Sequence, residues 1–346
     1  MSQHLCGWGE SPREPREPLF VLEGSEWEGG KVGSLGSRGL SPHRRTAPHR
    51  ADPLPGSALF ISAACGLNPG VALQIKHIQS LDAPGLELYL TLKRVEEHER
   101  DGILVATNSK VVQRLLASRF TVMSALLTQD WLDKLEPQLR ARTEDITIYV
   151  ADKPLLETIT GYKMHQCALA VAKIPPQPSF DTLLATAPQP LLLAAVEGIA
   201  SAENLGAIVR SCAAFGAHFL IVGETCGSPF QRRAVSGSMG SIFEQPVVHV
   251  EDLAAKLNRL RAQGVRVLAA HPRPDAKKLT AVDLRGDCCL VFGAEGPGLT
   301  TPVLAACDDM VEIPMPSHMN SLNVATCAAV FLYEAMRQRE KPESRK

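Results

Sequence analysis

Glu295 is the only charge in Gly293-Ala-Glu-Gly-Pro-Gly298, a loop with three glycines in six residues. Glycine has no side chain to hold two groups apart, so such a loop lets its main chain approach a ligand closely while one carboxylate orients what it binds. A second polar turn, Ser321-Leu-Asn323, comes after an Ile313-Pro corner. Upstream, Asn204 and Arg210 lie in Glu203-Asn-Leu-Gly-Ala-Ile-Val-Arg210. An arginine beside an acid in a cleft could grip an anion through its planar fork of donors. Each residue also has an ordinary use: Asn204, Ser321 and Asn323 as helix N-caps, Arg210 as a surface charge and Glu295 as a turn carboxylate.

The elements that must position these residues follow from hydrophobic period. Leu290-Val-Phe292 and Met310-Val-Glu-Ile313 read as buried strands opening into the two loops. Asn204 stands where a cap belongs. Leu205, Ile208, Val209, Cys212 and Ala213 then repeat at helical spacing until Gly216, with Arg210 off that stripe and free to face a cleft. Between residues 191 and 340 strand candidates (191–196, 219–222, 247–250, 265–270, 289–292, 310–313) alternate with helices, and the last helix is expected over 323–337. This alternation predicts an α/β fold with a parallel sheet covered on both faces.

Residues 58–174 form a separate small α/β unit by the same reading, with strands near 102–106, 120–127, 146–150 and 167–171 and a helix over 109–118. Lys110, Arg114, Arg119, Arg140 and Arg142 are there as phosphate contacts or as solvated charges. Prolines 175, 176, 178, 188 and 190 mark residues 175–190 as an extended, semi-rigid spacer between two domains. Residues 1–57 hold nine Gly and seven Pro with little apolar periodicity, which predicts a disordered extension. Their start lacks the basic-then-apolar order of a secretory signal and their glutamates make a poor organelle transit peptide, so the cytoplasm is the expected location, with an organelle as the alternative.

Composition narrows the function. The 346 residues carry a net charge of −1, so any nucleic-acid contact must come from local basic patches. No apolar run approaches the roughly 18 residues that cross a membrane. The nine cysteines include no Cys-x-x-Cys pair and no clustered ligand set, which predicts buried thiols in a reducing compartment and no metal site.

Taken together, Val196–Cys212, Leu290–Leu299 and Val311–Val324 resemble the three motifs of the SpoU (TrmH-like) RNA 2'-O-methyltransferases in their usual order, over residues 191–339. The resemblance implies transfer of a methyl group from S-adenosylmethionine to a ribose 2'-hydroxyl of rRNA or tRNA. It implies a C-terminal trefoil-knotted SPOUT domain, a homodimer, and a ribosomal-protein-like RNA-binding domain in front. It assigns Asn204, Arg210, Glu295, Ser321 and Asn323 to catalysis. Gly293, Gly296, Ile313 and Leu322 are assigned to the cofactor, held mainly by backbone. The chain departs from the motif at Ala325, where a small polar residue is usual. The last helix offers Val324, Cys327, Ala328, Phe331 and Leu332 as a stripe for dimer packing.

Two other readings compete. A nicotinamide or flavin enzyme needs Gly-x-Gly-x-x-Gly directly after the first strand, where this chain has Glu197-Gly-Ile-Ala-Ser-Ala202. A non-catalytic RNA-binding protein could retain the scaffold, and would be told apart by titration with S-adenosylmethionine.

Overall fold

The protein is described by a computed structural model over residues 73–340, apart from 93, 162, 164–166 and 317–320. The extension expected over residues 1–57 lies outside the described residues.

Two sheets organise the described chain. The first is built from β1 (Gln74–His77), β2 (Ile103–Thr107), β3 (Thr121–Leu127), β4 (Thr147–Val150) and β5 (Ala168–Lys173). Its helices are α1 (Glu87–Leu90), α2 (Val95–Arg100), α3 (Ser109–Ala117), α4 (Gln129–Arg140) and α5 (Lys153–Thr160). The strand order is β1-β4-β3-β5-β2, with β5 antiparallel to both neighbours and the β1–β4 and β4–β3 pairs parallel. Helix α3 begins where the Asn108 side chain accepts from the Val111 N–H, and its Val111, Val112, Leu115 and Leu116 stripe is buried as its spacing predicts. The sequence pattern does not single out α4, whose twelve residues include Pro137.

The second sheet follows α6 (Phe180–Thr186). Its elements are β6 (Leu192–Val196), α7 (Ala202–Ala214), β7 (Phe219–Val222), α8 (Arg232–Gly237), β8 (Val247–His249) and α9 (Leu253–Ala262). Then come β9 (Arg266–Ala270), β10 (Lys277–Lys278), β11 (Cys288–Phe292), α10 (Thr301–Ala305), β12 (Asp309–Glu312) and α11 (Val324–Arg339). All seven strands run parallel in the order β10-β12-β9-β11-β6-β7-β8. The central strands β6 and β11 are buried along their whole length, which is why they read as continuous apolar runs and not as alternations. Leu192, Ala194 and Val196 of β6 pack in a core with α7 and α11, while Leu193 and Ala195 point the other way, toward α6, α9 and α10.

Three expectations are revised here. The spacer over 175–190 is not wholly extended: Ser179 caps α6 by accepting from the Thr182 N–H, and Phe180 is buried edge-on against Phe219. The α11 stripe proposed for dimer packing is used inside the chain, with Val324, Ala328, Phe331 and Leu332 buried in the core and Phe331 set against Phe292. Helix α11 packs on α7 and β11, so those side chains complete the fold of one chain. Finally, Arg142 is no phosphate contact: its guanidinium donates to the carbonyls of Leu116, Ser118 and Phe120 and pairs with Glu144. Arg140 pairs with Glu136 one turn away, and Arg114 donates to the Met239 carbonyl.

The two sheets share one core. Phe120 of the first meets Phe243 and Phe230 of the second at ring-centroid distances of 5.2 and 6.3 Å. Thr107 at the end of β2 bonds Ser236 of α8 at 2.7 Å between hydroxyl oxygens. Helix α8 therefore sits between the first sheet and α7, and its approach to α7 is set by glycine. A Cβ on Gly206 would stand 2.3 Å from the Ala234 carbonyl oxygen, and one on Gly237 would stand 3.5 Å from the Gly206 Cα.

Gly206→Ala should therefore destabilise the protein although alanine is the better helix former by about 1 kcal/mol. The helices must part to admit the methyl, and the net loss is expected to be roughly 1–3 kcal/mol, read from the midpoint of urea denaturation. An unchanged or higher midpoint would show that α7 and α8 can separate freely.

Candidate active site

The loops that follow β9, β11 and β12 all leave the carboxyl end of the parallel sheet, the edge where open α/β sheets bind their ligands. They enclose a cavity of about 550 Å³. Its lining includes His271 after β9, Gly293 to Leu299 after β11, and Ile313, Ser321, Leu322 and Asn323 after β12. Phe292, Leu299, Val311 and Phe331 supply apolar wall, and Glu295 and Glu312 bring the carboxylates. Cys327 also reaches the cavity from α11, and burial pushes its thiol up to about 11, so it stays protonated at neutral pH.

The glycines of the β11 loop are required by the loop's own fold. A Cβ on Gly293 would lie 2.5 Å from the Gly298 carbonyl carbon, because the loop folds back on itself and closes with an Ala294–Gly298 bridge. Gly296 and Gly298 take φ values of +91° and +72°, which side chains rarely adopt. The glycines thus allow a tight excursion that carries Glu295 at its tip.

Glu295 draws three distant segments together. Its Oε1 accepts from the Asn323 side-chain amide at 2.7 Å, from that of Asn204 at 3.2 Å, and from the Val324 N–H at 3.4 Å. The Asn323 amide also donates to the Asn204 side-chain carbonyl at 2.9 Å, closing a triangle. Asn323 does this while capping α11, its Oδ1 accepting from the N–H groups of Ala325 and Thr326. Capping and site geometry are thus joined in one side chain. Ala325 makes its part of this contact through its main chain, so the usual polar side chain is not needed for it.

Asn204, by contrast, is not a cap. Helix α7 begins earlier, with the Ser201 hydroxyl accepting from the Asn204 N–H, so Asn204 lies in the first turn and its side chain is free to reach Glu295. Arg210 stands six residues on, which is about 9 Å along the axis and about 120° round it. It is exposed and makes no hydrogen bond or ion pair with any described residue. The carboxylate of Glu295 therefore orients Asn323 and Asn204, not Arg210. Ser321, Leu322, Ile313, Gly293 and Gly296 line the cavity. His271 was not singled out by sequence, since a lone histidine before a proline carries no pattern. Glu197 was missed as well. It is buried at the end of β6 and holds Thr300 at the far end of the glycine loop.

The profile of the SpoU rRNA Methylase family matches residues 191–333, which contain the whole cavity. An uncharacterized tRNA/rRNA methyltransferase of Mycobacterium bovis is 33% identical over 280 residues, covering 79% of this chain and 95% of that protein. A 23S rRNA (guanosine-2'-O-)-methyltransferase of a Burkholderia species is 32% identical over 236 residues, covering 65% of this chain and 94% of that one. The crystal structure of an AdoMet-bound rRNA methyltransferase from Sinorhizobium meliloti shares the fold, with a TM-score of 0.65 at 22% identity over 76% of this chain and 98% of that one.

The double use of Asn323 can be separated by substitution. Asn323→Asp keeps an N-cap acceptor but replaces the donor to Glu295 with a second carboxylate, and two carboxylates this close cannot both ionise. The variant should lose stability at neutral pH. A proton shared by the pair raises its apparent pKa in the folded state above the unfolded value, so the folded state binds the extra proton. The deficit against the parent protein should therefore shrink as pH falls from 7 toward 5, measured by thermal denaturation. A deficit independent of pH would mean that the two side chains do not face each other.

Proposed function

Since the chain belongs to the SpoU rRNA methylase family, we propose that the cavity is where it transfers the methyl group of S-adenosylmethionine to a ribose 2'-hydroxyl of RNA. The protein is an RNA 2'-O-methyltransferase and S-adenosylmethionine is its cofactor. The observation that carries the site assignment is the Asn204–Glu295–Asn323 triangle, which brings all three motif segments to the rim of one cavity.

The residues present suit the cofactor. A cavity of about 550 Å³ lies within the usual range for a ligand of this size. Ile313 and Leu322 offer apolar faces for a purine, and the loop amides and carbonyls at Gly293 and Gly296 offer hydrogen-bonding groups for its edge. When bound, S-adenosylmethionine supplies an electrophilic methyl carbon on a sulfonium. The protein's share is to hold the hydroxyl in line and to stabilise negative charge as the proton leaves. Arg210 is assigned to that task and to gripping the neighbouring phosphate, because a guanidinium is a poor base and a good bidentate anion holder. Asn323 gives both amide N–H groups to Glu295 and Asn204 and so fixes Asn204, whose second amide N–H is left for the reacting hydroxyl. Ser321 lines the same cavity and supplies a further hydroxyl.

The substrate is rRNA or tRNA. In our reading the sheet of β1 to β5 is the RNA-binding domain, with Lys110 and Arg119 among its exposed cations that make no ion pair with any described residue. The order β12-β9-β11-β6 fits a C-terminal trefoil knot, in which the segment bearing Asn323 passes through a loop of the same domain. The described cysteines are all free thiols, in keeping with a cytoplasmic protein. We further propose a homodimer. With the inner face of α11 committed to the core, the outer face carries the pairing, where Tyr333 is half exposed and stacks edge-on with Phe215 at 5.9 Å. Light scattering at micromolar concentration should give twice the chain mass, and Tyr333→Glu should halve it. A monomeric parent protein would overturn the pairing.

Arg210→Ala should lower single-turnover methylation by roughly 10²-fold or more while leaving calorimetric S-adenosylmethionine affinity nearly unchanged. Arg210 lies on α7 and lines no part of the cavity. Arg210→Lys keeps the charge but loses the fork, so it should rescue poorly. Near-parent turnover in Arg210→Ala would remove both of its assigned roles.

A further inference from the structure

Glu197 is the last position at which β6 reaches the cavity end of the sheet, and its main-chain N–H donates to the Phe292 carbonyl at 3.0 Å, continuing the β6–β11 pairing. The residue is 4% exposed, the one buried acid among the described residues. Both carboxylate oxygens are taken by a single partner. Oε2 accepts from the Thr300 N–H at 2.8 Å, and Oε1 accepts from the Thr300 hydroxyl at 2.7 Å.

Burying a carboxylate is costly unless its oxygens are satisfied, and a strand end that needed only to be filled would be filled by an apolar residue. What a carboxylate does here that an apolar residue cannot is fix one loop residue at two points. Thr300 lies five residues past Glu295, at the base of the glycine loop, and Asn204 lies seven residues past Glu197, in the first turn of α7. The segment from Glu197 to Asn204 and the segment from Glu295 to Thr300 are therefore joined twice, by Glu197–Thr300 at one end and Asn204–Glu295 at the other. Between these ties the glycine loop has little side chain of its own to pack, since Glu295, Gly296 and Pro297 are exposed.

We propose that Glu197 is a positioning residue, the anchor that holds the Gly293–Leu299 wall of the cavity and, through it, sets Glu295 against Asn204 and Asn323. Its effect on cofactor and turnover rests on the function proposed above. Its effect on the loop does not.

Three variants of the full chain separate the possibilities. Thr300→Val removes the hydroxyl bond and keeps the N–H bond. It takes nothing from α10, because the Thr300 side chain makes no capping bond to that helix. Thr300→Ser keeps both bonds. Glu197→Gln keeps an acceptor for the N–H and turns the other contact into an amide donor facing a hydroxyl that can reverse its role. The readouts are hydrogen exchange at the Gly298 amide, which bonds to the Ala294 carbonyl at 3.1 Å in the folded loop, calorimetric affinity for S-adenosylmethionine, and kcat and KM. Thr300→Val should exchange faster at Gly298, bind S-adenosylmethionine roughly tenfold more weakly and turn over more slowly, as expected for loss of one hydrogen bond to a charged group. Its melting temperature should stay near that of the parent. Thr300→Ser should restore all of these, and Glu197→Gln should fall between. The proposal is overturned if Thr300→Val leaves Gly298 exchange at the parent rate, or if its melting temperature drops while cofactor affinity holds. If the parent protein binds no S-adenosylmethionine yet Gly298 exchange rises in Thr300→Val, the anchor stands and the cofactor assignment falls.

Discussion

One carboxylate oxygen connects the parts of this site. Oε1 of Glu295 takes the side-chain amides of Asn204 and Asn323 and the first main-chain N–H of α11. These groups come from helices that begin more than a hundred residues apart, on opposite sides of a glycine loop. A charged acceptor at the start of a helix is favoured by that helix's own unpaired amides and dipole. The energetic reason for Glu295 to sit at α11 and the geometric reason for it to orient Asn323 are therefore the same contact.

Support for that contact is distributed through the sheet. Parallel strands β6, β11, β9 and β12 end together, so their loops meet at one edge, and the buried Glu197 just past β6 ties down the far end of the β11 loop at Thr300. On the flank, Gly206 and Gly237 let α8 come close enough to α7 to bridge it to the first sheet through Thr107. The aromatic cluster of Phe120, Phe230 and Phe243 buries the same junction. A core shared in this way fixes the first sheet relative to α7, the helix that carries Arg210. A movement of the first sheet would have to be accommodated at that junction.

Much of the architecture was legible because the physics that forms strands and helices is local. The continuous apolar runs at 191–196 and 289–292 mark strands buried on both faces, found as Leu192–Val196 and Cys288–Phe292, and the helical stripe after Asn204 marks α7. Less local features were not legible. Helix α4 contains a proline, which sequence reading takes as a breaker, yet Leu132, Leu135 and Leu139 are buried along it. The α11 stripe is the clearest case: its spacing shows that the face is buried but not against what, and it is buried within the chain's own core.

The sequence by itself determined which residues could do chemistry and which ends of which strands would carry them, since composition, period and motif spacing are properties of short stretches. Tertiary structure decided how those residues are used. It moved the cap of α7 from Asn204 to Ser201 and so released Asn204 to bond Glu295. It gave Asn323 two roles, turned Arg142 from a surface cation into a brace for three carbonyls, and explained Gly293 by the loop folded against it, with no reference to a ligand. The physical reason is common to the three polar side chains. A hydrogen-bonding side chain is committed only when a partner from elsewhere in the chain arrives at about 3 Å, and no local pattern records which partner that is.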